Sequence, residues 1–229
     1  MEKTIGILTA MSMEFHQVAA MMQNAEAVQS GPHKFLVGSI GESRVVLQQC
    51  GIGKVNAASG VTNLIMEFHP DVVVSTGVAG GIDVSLSVMD VVVGTSVCHH
   101  DVYCGEDCEP GQVQGLPKFF PGDERLVSVA TSLKADSHIV PGLICTGDQF
   151  ISNHEELAVI KRKYPDGLAV DMESAAIAQV CYLWKVPFLS FRIISDTPGA
   201  DNRFGQYLNF WDTVADKSFA VTREFLSKI

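Results

Sequence analysis

Asp71-Val72-Val73-Val74-Ser75-Thr76-Gly77-Val78-Ala79-Gly80-Gly81 is the stretch that decides the fold. Its first half is apolar and β-branched at consecutive positions, which indicates a central strand covered on both faces. Its second half is rich in glycine, which favours a tight turn directly after the strand. Phe188–Ile194 is a second run of this kind, and Ser195 and Asp196 follow it. Both runs therefore predict buried strands that end in polar or glycine-rich turns.

Outward from these two runs, short β-branched segments alternate with helical patterns. The other strand-like segments are Thr4–Leu8, Lys34–Ile40, Arg44–Gln49, Val91–Val97 and Ile139–Ile144. The helical patterns are Met13–Met22, Lys54–Phe68, Glu155–Lys163, Met172–Trp184 and Tyr207–Leu226. A three-residue link joins Lys34–Ile40 to Arg44–Gln49 and indicates a hairpin, so the sheet is expected to be mixed. The alternation predicts an α/β protein, a three-layer α/β/α sandwich with a central mixed β-sheet.

Composition narrows the class of protein. The chain has 229 residues, of which 47% are hydrophobic and 18% charged, and no linker divides it, so one domain over 1–229 is expected. Met1–Leu8 is already strand-like and lacks the features of a cleavable signal, and no apolar run reaches the length of a membrane helix. Six scattered cysteines fit reduced thiols in a cytoplasm. The net charge of −10 argues against nucleic acid or an anionic membrane as a partner, which leaves a small molecule.

Candidate functional residues lie where the strands end, because ligands of open α/β sheets bind there. Asp196 follows a long apolar strand, where poor solvation raises the pKa of a carboxyl group and prepares a general acid. A turn-forming aspartate explains the same position. Glu173 and Glu14 each lie at the start of a helical pattern, where an acidic residue compensates the helix dipole. Glu173 also follows a buried strand, which makes it a candidate acceptor for a diol such as a ribose.

Three further signals have both structural and functional interpretations. Arg192 lies inside an apolar strand, so it must pair with a carboxylate or line a wet cavity. Phe150 is a single aromatic residue, for which a core position is favoured over a ligand contact. The glycine turns at Gly51–Gly53 and Gly77–Gly81 match neither the P-loop nor the dinucleotide pattern, so they favour tight turns or close packing against a flat ligand.

The segment from His99 to Cys108 contains side chains of the types that bind metal ions. It offers His99, His100, Asp101, Cys104 and Cys108, but the two cysteines lack a second matched pair. We therefore expect neither a metal nor a cofactor.

Taken together, the turns resemble the purine nucleoside phosphorylase-like superfamily, and within it the bacterial methylthioadenosine/S-adenosylhomocysteine nucleosidases. The resemblance runs nearly end to end. It is carried, in order, by Gly6-Ile7-Leu8-Thr9-Ala10-Met11-x-x-Glu14, Gly51-Ile52-Gly53-Lys54-Val55-Asn56-Ala57-Ala58, Thr76-Gly77-Val78-Ala79-Gly80-Gly81, His100-Asp101, Gly147-Asp148-Gln149-Phe150-Ile151, Val170-Asp171-Met172-Glu173-Ser174-Ala175-Ala176 and Arg192-Ile193-Ile194-Ser195-Asp196.

The resemblance implies a role for each site residue in cleaving the N-glycosidic bond of an adenosine-type nucleoside. Asp196, oriented by Ser195, protonates N7 of the base. Glu14, helped by Arg192, takes a proton from the attacking water. The implied substrate-binding residues are Ile52, Val78, Ala79, Gly80, Phe150 and Ile151 together with Asp171, Met172 and Glu173. Among these, Phe150 stacks on the base, the Ile151 backbone reads its edge, and Glu173 holds the ribose hydroxyls beside Met172.

Hydrolysis and phosphorolysis differ in how the nucleophile is held. Phosphorylases of this superfamily place an arginine in the loop after the first strand, whereas Thr9–Glu14 carries no cation and adds an anion. Water is therefore the expected nucleophile, and 5′-methylthioadenosine and S-adenosylhomocysteine are the expected substrates. A related enzyme, such as a futalosine hydrolase or a phosphorylase, and a catalytically silent nucleoside-binding module are the alternatives.

Two departures leave the 5′ substituent of the substrate open. Val78 stands where these nucleosidases usually have a hydroxyl residue, and Asp171 stands where glutamate is usual. The loop Cys104–Gly115 also differs from the corresponding loop of these nucleosidases. In the family, the partner subunit's copy of this loop helps to close the site. The resemblance thus implies a homodimer.

Overall fold

The computed structural model describes residues 3–213 and 215–229, and the side chains of residues 215–218 lie outside that description. Its strands are β1 (Thr4–Thr9), β2 (Gln23–Ser30), β3 (His33–Ile40), β4 (Ser43–Gln49), β5 (Val72–Gly81), β6 (Val91–His99), β7 (Phe120–Pro121), β8 (Ile139–Thr146), β9 (Gly167–Asp171) and β10 (Phe188–Asp196). Its helices are α1 (Ser12–Ala19), α2 (Lys54–Phe68), α3 (Glu124–Thr131), α4 (His154–Lys163), α5 (Ser174–Trp184), α6 (Arg203–Thr213) and α7 (Ala215–Leu226).

The central strand β5 separates two apolar cores, because successive side chains of a strand point to opposite faces. Val72 and Val74 pack into one core with residues of α1, α3, α6 and α7. Val73 packs into the other core with residues of α2 and α5. The close approach of α2 depends on Gly6, where a Cβ would lie 2.5 Å from a methyl group of Leu64. The predicted three-layer sandwich with a mixed sheet is confirmed.

The sheet has the strand order β10-β6-β8-β9-β5-β1-β4-β3-β2. Because β10 also pairs with β5, the strands β5, β10, β6, β8 and β9 close into a ring. The pairs β1–β4, β1–β5 and β5–β10 are parallel, whereas β3–β4, β5–β9 and β6–β10 are antiparallel. The carboxyl ends of β1, β5 and β10 therefore meet at one edge, where the end of β9 joins them.

All seven strands predicted from β-branched runs are present, and several continue beyond the predicted ends. The stretch Gly77–Gly81, predicted as a turn, is the last part of β5. Ser195 and Asp196, predicted to follow β10, are its last residues. The reason is the ladder between the two strands, which pairs Ile193 with Val78 and Asp196 with Gly80.

Other boundaries differ where polar sequence forms regular structure. The helix predicted over Met13–Met22 ends at Ala19, because the polar, exposed segment Gln23–Ser30 forms the edge strand β2 against β3. The sequence pattern also missed α3 and the two-residue strand β7.

The chain ends also depart from the predicted bounds. The helix predicted over Tyr207–Leu226 begins earlier, at Arg203. Three residues of the predicted elements lie outside the described residues: Val214 in this helix, and Met1 and Glu2 at the strand-like start. No helix among the described residues is long and apolar enough to cross a membrane.

Candidate active site

The ends of β1, β5, β9 and β10 surround a partly open cavity of about 120 Å³, and small organic ligands bind in concave, mostly apolar cavities of this kind. It is lined by Ala10, Met11, Glu14, Ile52, Val78, Ala79, Gly80, Gln149, Phe150, Ile151, Val170, Asp171, Met172, Glu173, Ser195, Asp196 and Tyr207. Every site residue predicted from the sequence is in this set except Arg192. Arg192 is 1% exposed and lies behind the carboxyl groups, where it pairs with Asp171.

Glu14 is held by the backbone around it. Its Oε2 accepts hydrogen bonds from the N–H groups of Ala10 (2.9 Å) and Met11 (3.0 Å), and its Oε1 accepts one from Val78 (2.9 Å). Burial raises the pKa of Glu14, while the Arg192 guanidinium and these three N–H groups lower it. A carboxyl group with a raised pKa is a suitable general base near neutral pH.

Gly77 makes room for the meeting of Glu14 and Arg192. A Cβ at this position would lie 2.2 Å from Glu14 Oε1 and 2.9 Å from Arg192 Nη1. Any side chain would therefore displace the two charged groups. The glycine is therefore required for this close approach and not for the turn that the sequence predicted, since Gly77 lies inside β5.

Arg192 is the centre of a buried polar network. Its Nε lies 2.9 Å from Asp171 Oδ2, and its Nη2 lies 3.8 Å from Glu173 Oε2. The same Nη2 donates to Ser75 Oγ (2.8 Å) and Ser174 Oγ (3.1 Å). This arrangement fits the sequence-based expectation that a cation inside an apolar strand must pair with carboxylates.

Glu173 connects this network to the cavity. It is the N-cap residue of α5, so it precedes the first helical turn in which the sequence pattern placed it. Its Oε1 accepts a hydrogen bond from the Gly53 N–H at 2.9 Å. Burial raises its pKa to about 7, a shift that Arg192 opposes and that Asp171 and Glu14 reinforce. The carboxyl group thus changes protonation state near neutral pH.

The last residues of β10 carry an irregularity that aims two consecutive side chains at the cavity. The register against β5 shifts between Ile194 and Asp196, as in a β-bulge, so both Ser195 and Asp196 line the cavity. Ser195 Oγ donates to Asp196 Oδ2 at 2.9 Å. Burial raises the pKa of Asp196, whereas Arg203 and the Ser195 hydroxyl lower it. Asp196 therefore has the environment expected of a general acid.

Three aromatic side chains, Phe150, Phe204 and Tyr207, lie together at the mouth of the cavity. The ring of Phe150 lies 5.5 Å from that of Tyr207 and 6.0 Å from that of Phe204, both edge to face. Phe150 is 50% exposed, so its interpretation as a core residue is wrong. The Tyr207 hydroxyl donates to the sulfur of Met11. A flat apolar ligand entering here meets aromatic faces on α6 and on the loop after β8.

Sequence reasoning assigned no role to six residues of this site. Ala10, Met11, Gln149, Val170 and Tyr207 line the cavity, and Arg203 pairs with Asp196. Arg203 and Tyr207 lie four residues apart and so share one face of α6. Placing the start of this helix at Arg203 instead of Tyr207 would have drawn attention to that face.

The potential metal-binding side chains between His99 and Cys108 contact other protein groups or solvent. His99 hydrogen-bonds to Gln179 at 3.0 Å, Asp101 pairs with Lys54 at 2.7 Å, and Cys104 is exposed. Among the described residues, no group of three or more histidine, cysteine, aspartate or glutamate side chains could hold a metal ion. All six cysteines are free thiols.

The cavity therefore has two chemically different ends. At one end Glu14, Asp171 and Glu173 surround the single guanidinium of Arg192. At the other end Asp196 is a buried carboxyl group with a raised pKa. Excess negative charge stabilises a group that becomes cationic, and a protonated carboxyl group can protonate a leaving group.

The whole chain matches a known family. Residues 4–227 match the model of the phosphorylase superfamily. The chain belongs to the phosphorylase superfamily. This confirms the resemblance found in the sequence motifs, and the fold is the nucleoside phosphorylase-like fold.

Individual members of the superfamily are similar over nearly their full lengths. A 5'-methylthioadenosine/S-adenosylhomocysteine nucleosidase of Bacillus thuringiensis subsp. konkukian is 40% identical over 211 residues, 90% of this chain and 91% of the relative. The crystal structure of the enzyme of that name from Neisseria meningitidis, in complex with methylthio-immucillin-A, has a TM-score of 0.92 and 35% identity over 99% of this chain and 100% of its own. Futalosine hydrolase of Helicobacter pylori has a TM-score of 0.91 at 25% identity, over 99% and 98% of the two chains.

Proposed function

We propose that this protein hydrolyses the N-glycosidic bond of 5′-methylthioadenosine, and of S-adenosylhomocysteine, to adenine and the 5-thioribose product. The observation that carries the proposal is that Asp196 lines the same cavity as the three carboxyl groups of Glu14, Asp171 and Glu173. Cleavage of this bond needs an acid at the base and negative charge near a sugar that becomes cation-like. The cavity offers both.

The composition of the cavity wall favours water over phosphate as the nucleophile. Among the described residues that line the cavity, none is lysine or arginine, and the nearby guanidinium of Arg192 is already paired with Asp171. Glu14, Asp171 and Glu173 would repel a phosphate ion. Phosphorolysis needs cationic side chains facing the nucleophile, so the geometry supports a hydrolase.

Each step of the reaction uses groups already described. Glu173 accepts hydrogen bonds from the ribose hydroxyls, and Phe150 packs on the base. Asp196 transfers its proton to N7 of the adenine, and the C–N bond breaks with its electron pair going to the base. Water adds to the cationic sugar carbon and gives its proton to Glu14, whose position is fixed by three backbone N–H groups.

The relatives support adenine as the base and a thioether as the 5′ substituent. Two of the similar proteins named above are nucleosidases for methylthioadenosine and S-adenosylhomocysteine. In addition, Met11, Ile52 and Tyr207 give the cavity an apolar wall that suits a thioether.

Base release in phosphate-free buffer tests the proposal. We expect adenine from 5′-methylthioadenosine and S-adenosylhomocysteine, with no stimulation and no sugar 1-phosphate when phosphate is added. Strict phosphate dependence would identify a phosphorylase instead. Release of base from futalosine or inosine but not from the methylthio substrate would contradict the substrate assignment. Tight adenosine binding without any base release would contradict catalysis.

We also propose that two copies of the chain form a homodimer. Ile52 lines the cavity and is 51% exposed, and the nearby Val55 is 80% exposed. A second copy would bury these apolar side chains beside the site. Light scattering of the purified protein should give twice the chain mass, and a fully active monomer would contradict the proposal.

A further inference from the structure

The base end of the cavity contains a buried ion pair between Asp196 and Arg203, the first residue of α6. Arg203 is 3% exposed, and its Nε donates to Asp196 Oδ1 at 2.8 Å, with Nη2 at 2.5 Å from the same oxygen. The other oxygen, Oδ2, accepts the Ser195 hydroxyl. Gly80 leaves the space that the guanidinium occupies, since a Cβ there would lie 2.6 Å from Nη2.

Asp196 is the only partner that Arg203 has within the described residues. Its Nη1 makes no hydrogen bond, its Nη2 reaches only Asp196 Oδ1, and no other carboxylate pairs with it. A buried guanidinium with unpaired N–H groups is unfavourable for folding. A structural arginine would be expected to satisfy more of its donors, so this residue is placed for Asp196.

We propose that Arg203 is a positioning residue for the proton donor: it holds Oδ1 of Asp196, turns Oδ2 towards the base, and stabilises the carboxylate that remains when the proton has left. This inference rests on the proposed function. In that reaction the proton passes from Asp196 to N7, the bond to the sugar breaks, and its electron pair stays on the base. Asp196 then carries a negative charge that the guanidinium faces directly.

Arg203 is the charged group with the largest influence on the ionisation of Asp196. Burial raises the pKa of Asp196, and Arg203 is the largest opposing influence. The other ionisable group facing it is Tyr207 on the same helix, whose own pKa is raised by burial. The adjoining parts of β5 and β9 present Gly80 and Val170, which carry no charge.

Removal of the guanidinium has a consequence with a definite sign. Without the cation, the pKa of Asp196 rises, so the carboxyl group stays protonated to higher pH and releases its proton less readily. An opposite charge at this distance typically lowers the pKa of an aspartate by about 1–3 units. We therefore expect Arg203→Gln to move the alkaline limb of kcat/KM upwards by about 1–3 pH units and to lower kcat.

The test is the pH dependence of adenine release by wild type, Arg203→Gln, Arg203→Lys and the control Arg223→Gln. Arg223 is exposed on α7 and does not line the cavity, so its replacement removes one surface charge and should leave the pH profile unchanged. Arg203→Lys keeps the charge, so its alkaline limb should stay near that of wild type and its kcat should exceed that of Arg203→Gln. The midpoint of a pH profile does not depend on the amount of folded protein, so partial misfolding does not obscure it.

Two outcomes would overturn the inference. The first is an alkaline limb in Arg203→Gln that coincides with that of wild type. The second is an equal shift in Arg203→Gln and Arg203→Lys, which would indicate a steric role. If Arg203→Gln does not fold, ¹³C NMR titration of the Asp196 carboxyl group decides between wild type and Arg203→Lys: matching values support the charge effect, and a raised value in the lysine variant contradicts it. Failure of wild type to release base from any nucleoside would instead contradict the proposed function.

Discussion

The two ends of the cavity each depend on one buried arginine, and the two arginines have different surroundings. Arg192 contacts two carboxylates and two serine hydroxyls and lies behind the cavity wall. Arg203 contacts Asp196 alone among the described residues. Both are almost fully buried. Burial alone therefore does not distinguish the two arginines, whereas the number of satisfied donors does.

The difference follows from what each end must do in the proposed reaction. At the sugar end, the carboxyl groups of Asp171, Glu173 and Glu14 outnumber their cation, and their negative charge when ionised suits a sugar that becomes positive. At the base end, Asp196 must alternate between acid and carboxylate. The single cation at this end, Arg203, stabilises the carboxylate form of Asp196 without keeping it permanently ionised.

The largest effect is expected from Asp196→Asn. The amide cannot donate the proton that the leaving base needs, so kcat for 5′-methylthioadenosine should fall by about 10²–10⁴. Binding of a substrate analogue should be largely retained, because the cavity keeps its shape. Steady-state kinetics and calorimetric titration measure the two quantities, and full activity in this variant would refute the proton-donor role.

Two substrates with different leaving groups distinguish the catalytic roles of the two ends of the cavity. A p-nitrophenyl 5-methylthioriboside has a leaving group that needs no protonation, so Asp196→Asn should cleave it at nearly the wild-type rate. Glu14→Gln should lose activity on both substrates, because activation of water is common to them. Equal losses for Asp196→Asn on both substrates would place its role outside protonation of the base.

The next effect concerns folding stability. Arg192→Gln leaves several buried carboxyl groups without their cation, so the free energy of unfolding at pH 7 should fall by about 3–5 kcal/mol. The loss should shrink at acidic pH, where those groups bind protons. Urea denaturation measures it, with exposed Arg223→Gln as the control, expected within about 0.5 kcal/mol of wild type. If Arg192→Gln lowers the free energy of unfolding less than Arg203→Gln does, the conclusion that Arg192 is the better-satisfied arginine is contradicted.

The sequence predicted the fold where apolar pattern and burial agree. Val72–Val74 and Phe188–Ile194 lie in strands covered on both faces, and their β-branched runs identified them. The strand Gln23–Ser30 was missed because an exposed edge strand needs no apolar alternation. Its pairing with β3 comes from tertiary contact, which a local pattern does not contain.

The site was predictable to a similar extent. The turn motifs identified the cavity residues, since each motif lies at the end of a strand and those ends converge. The partners were not predictable: the pairing of Arg203 with Asp196 depends on how α6 folds back across β10. The strand irregularity between Ile194 and Asp196 also leaves no local signal, because it is defined by the register against β5.

A smaller effect is expected in the pH dependence of substrate affinity. Glu173 has a pKa raised to about 7, chiefly by burial. Below that pH it is protonated and accepts hydrogen bonds from the ribose less well, so KM should rise by up to about tenfold per pH unit. Initial rates from pH 5 to 9 measure the trend. Glu173→Gln, which cannot titrate, should have a higher KM that is flat in this range, and a flat wild-type KM would contradict the ribose-binding role.

The smallest effect is expected from Val78→Ser. Val78 is nearly buried in the cavity wall, and its backbone N–H already donates to Glu14 Oε1, so the substitution leaves that contact intact. A serine hydroxyl adds one hydrogen bond to the water or the sugar, and a net gain of about 0.5–1.5 kcal/mol corresponds to an increase of roughly 2- to 10-fold in kcat/KM. Val78→Ala is the matched control, because it removes the same methyl groups without adding a donor. If Val78→Ser and Val78→Ala give equal kcat/KM, the backbone N–H groups around Glu14 hold the nucleophile without help from this side chain.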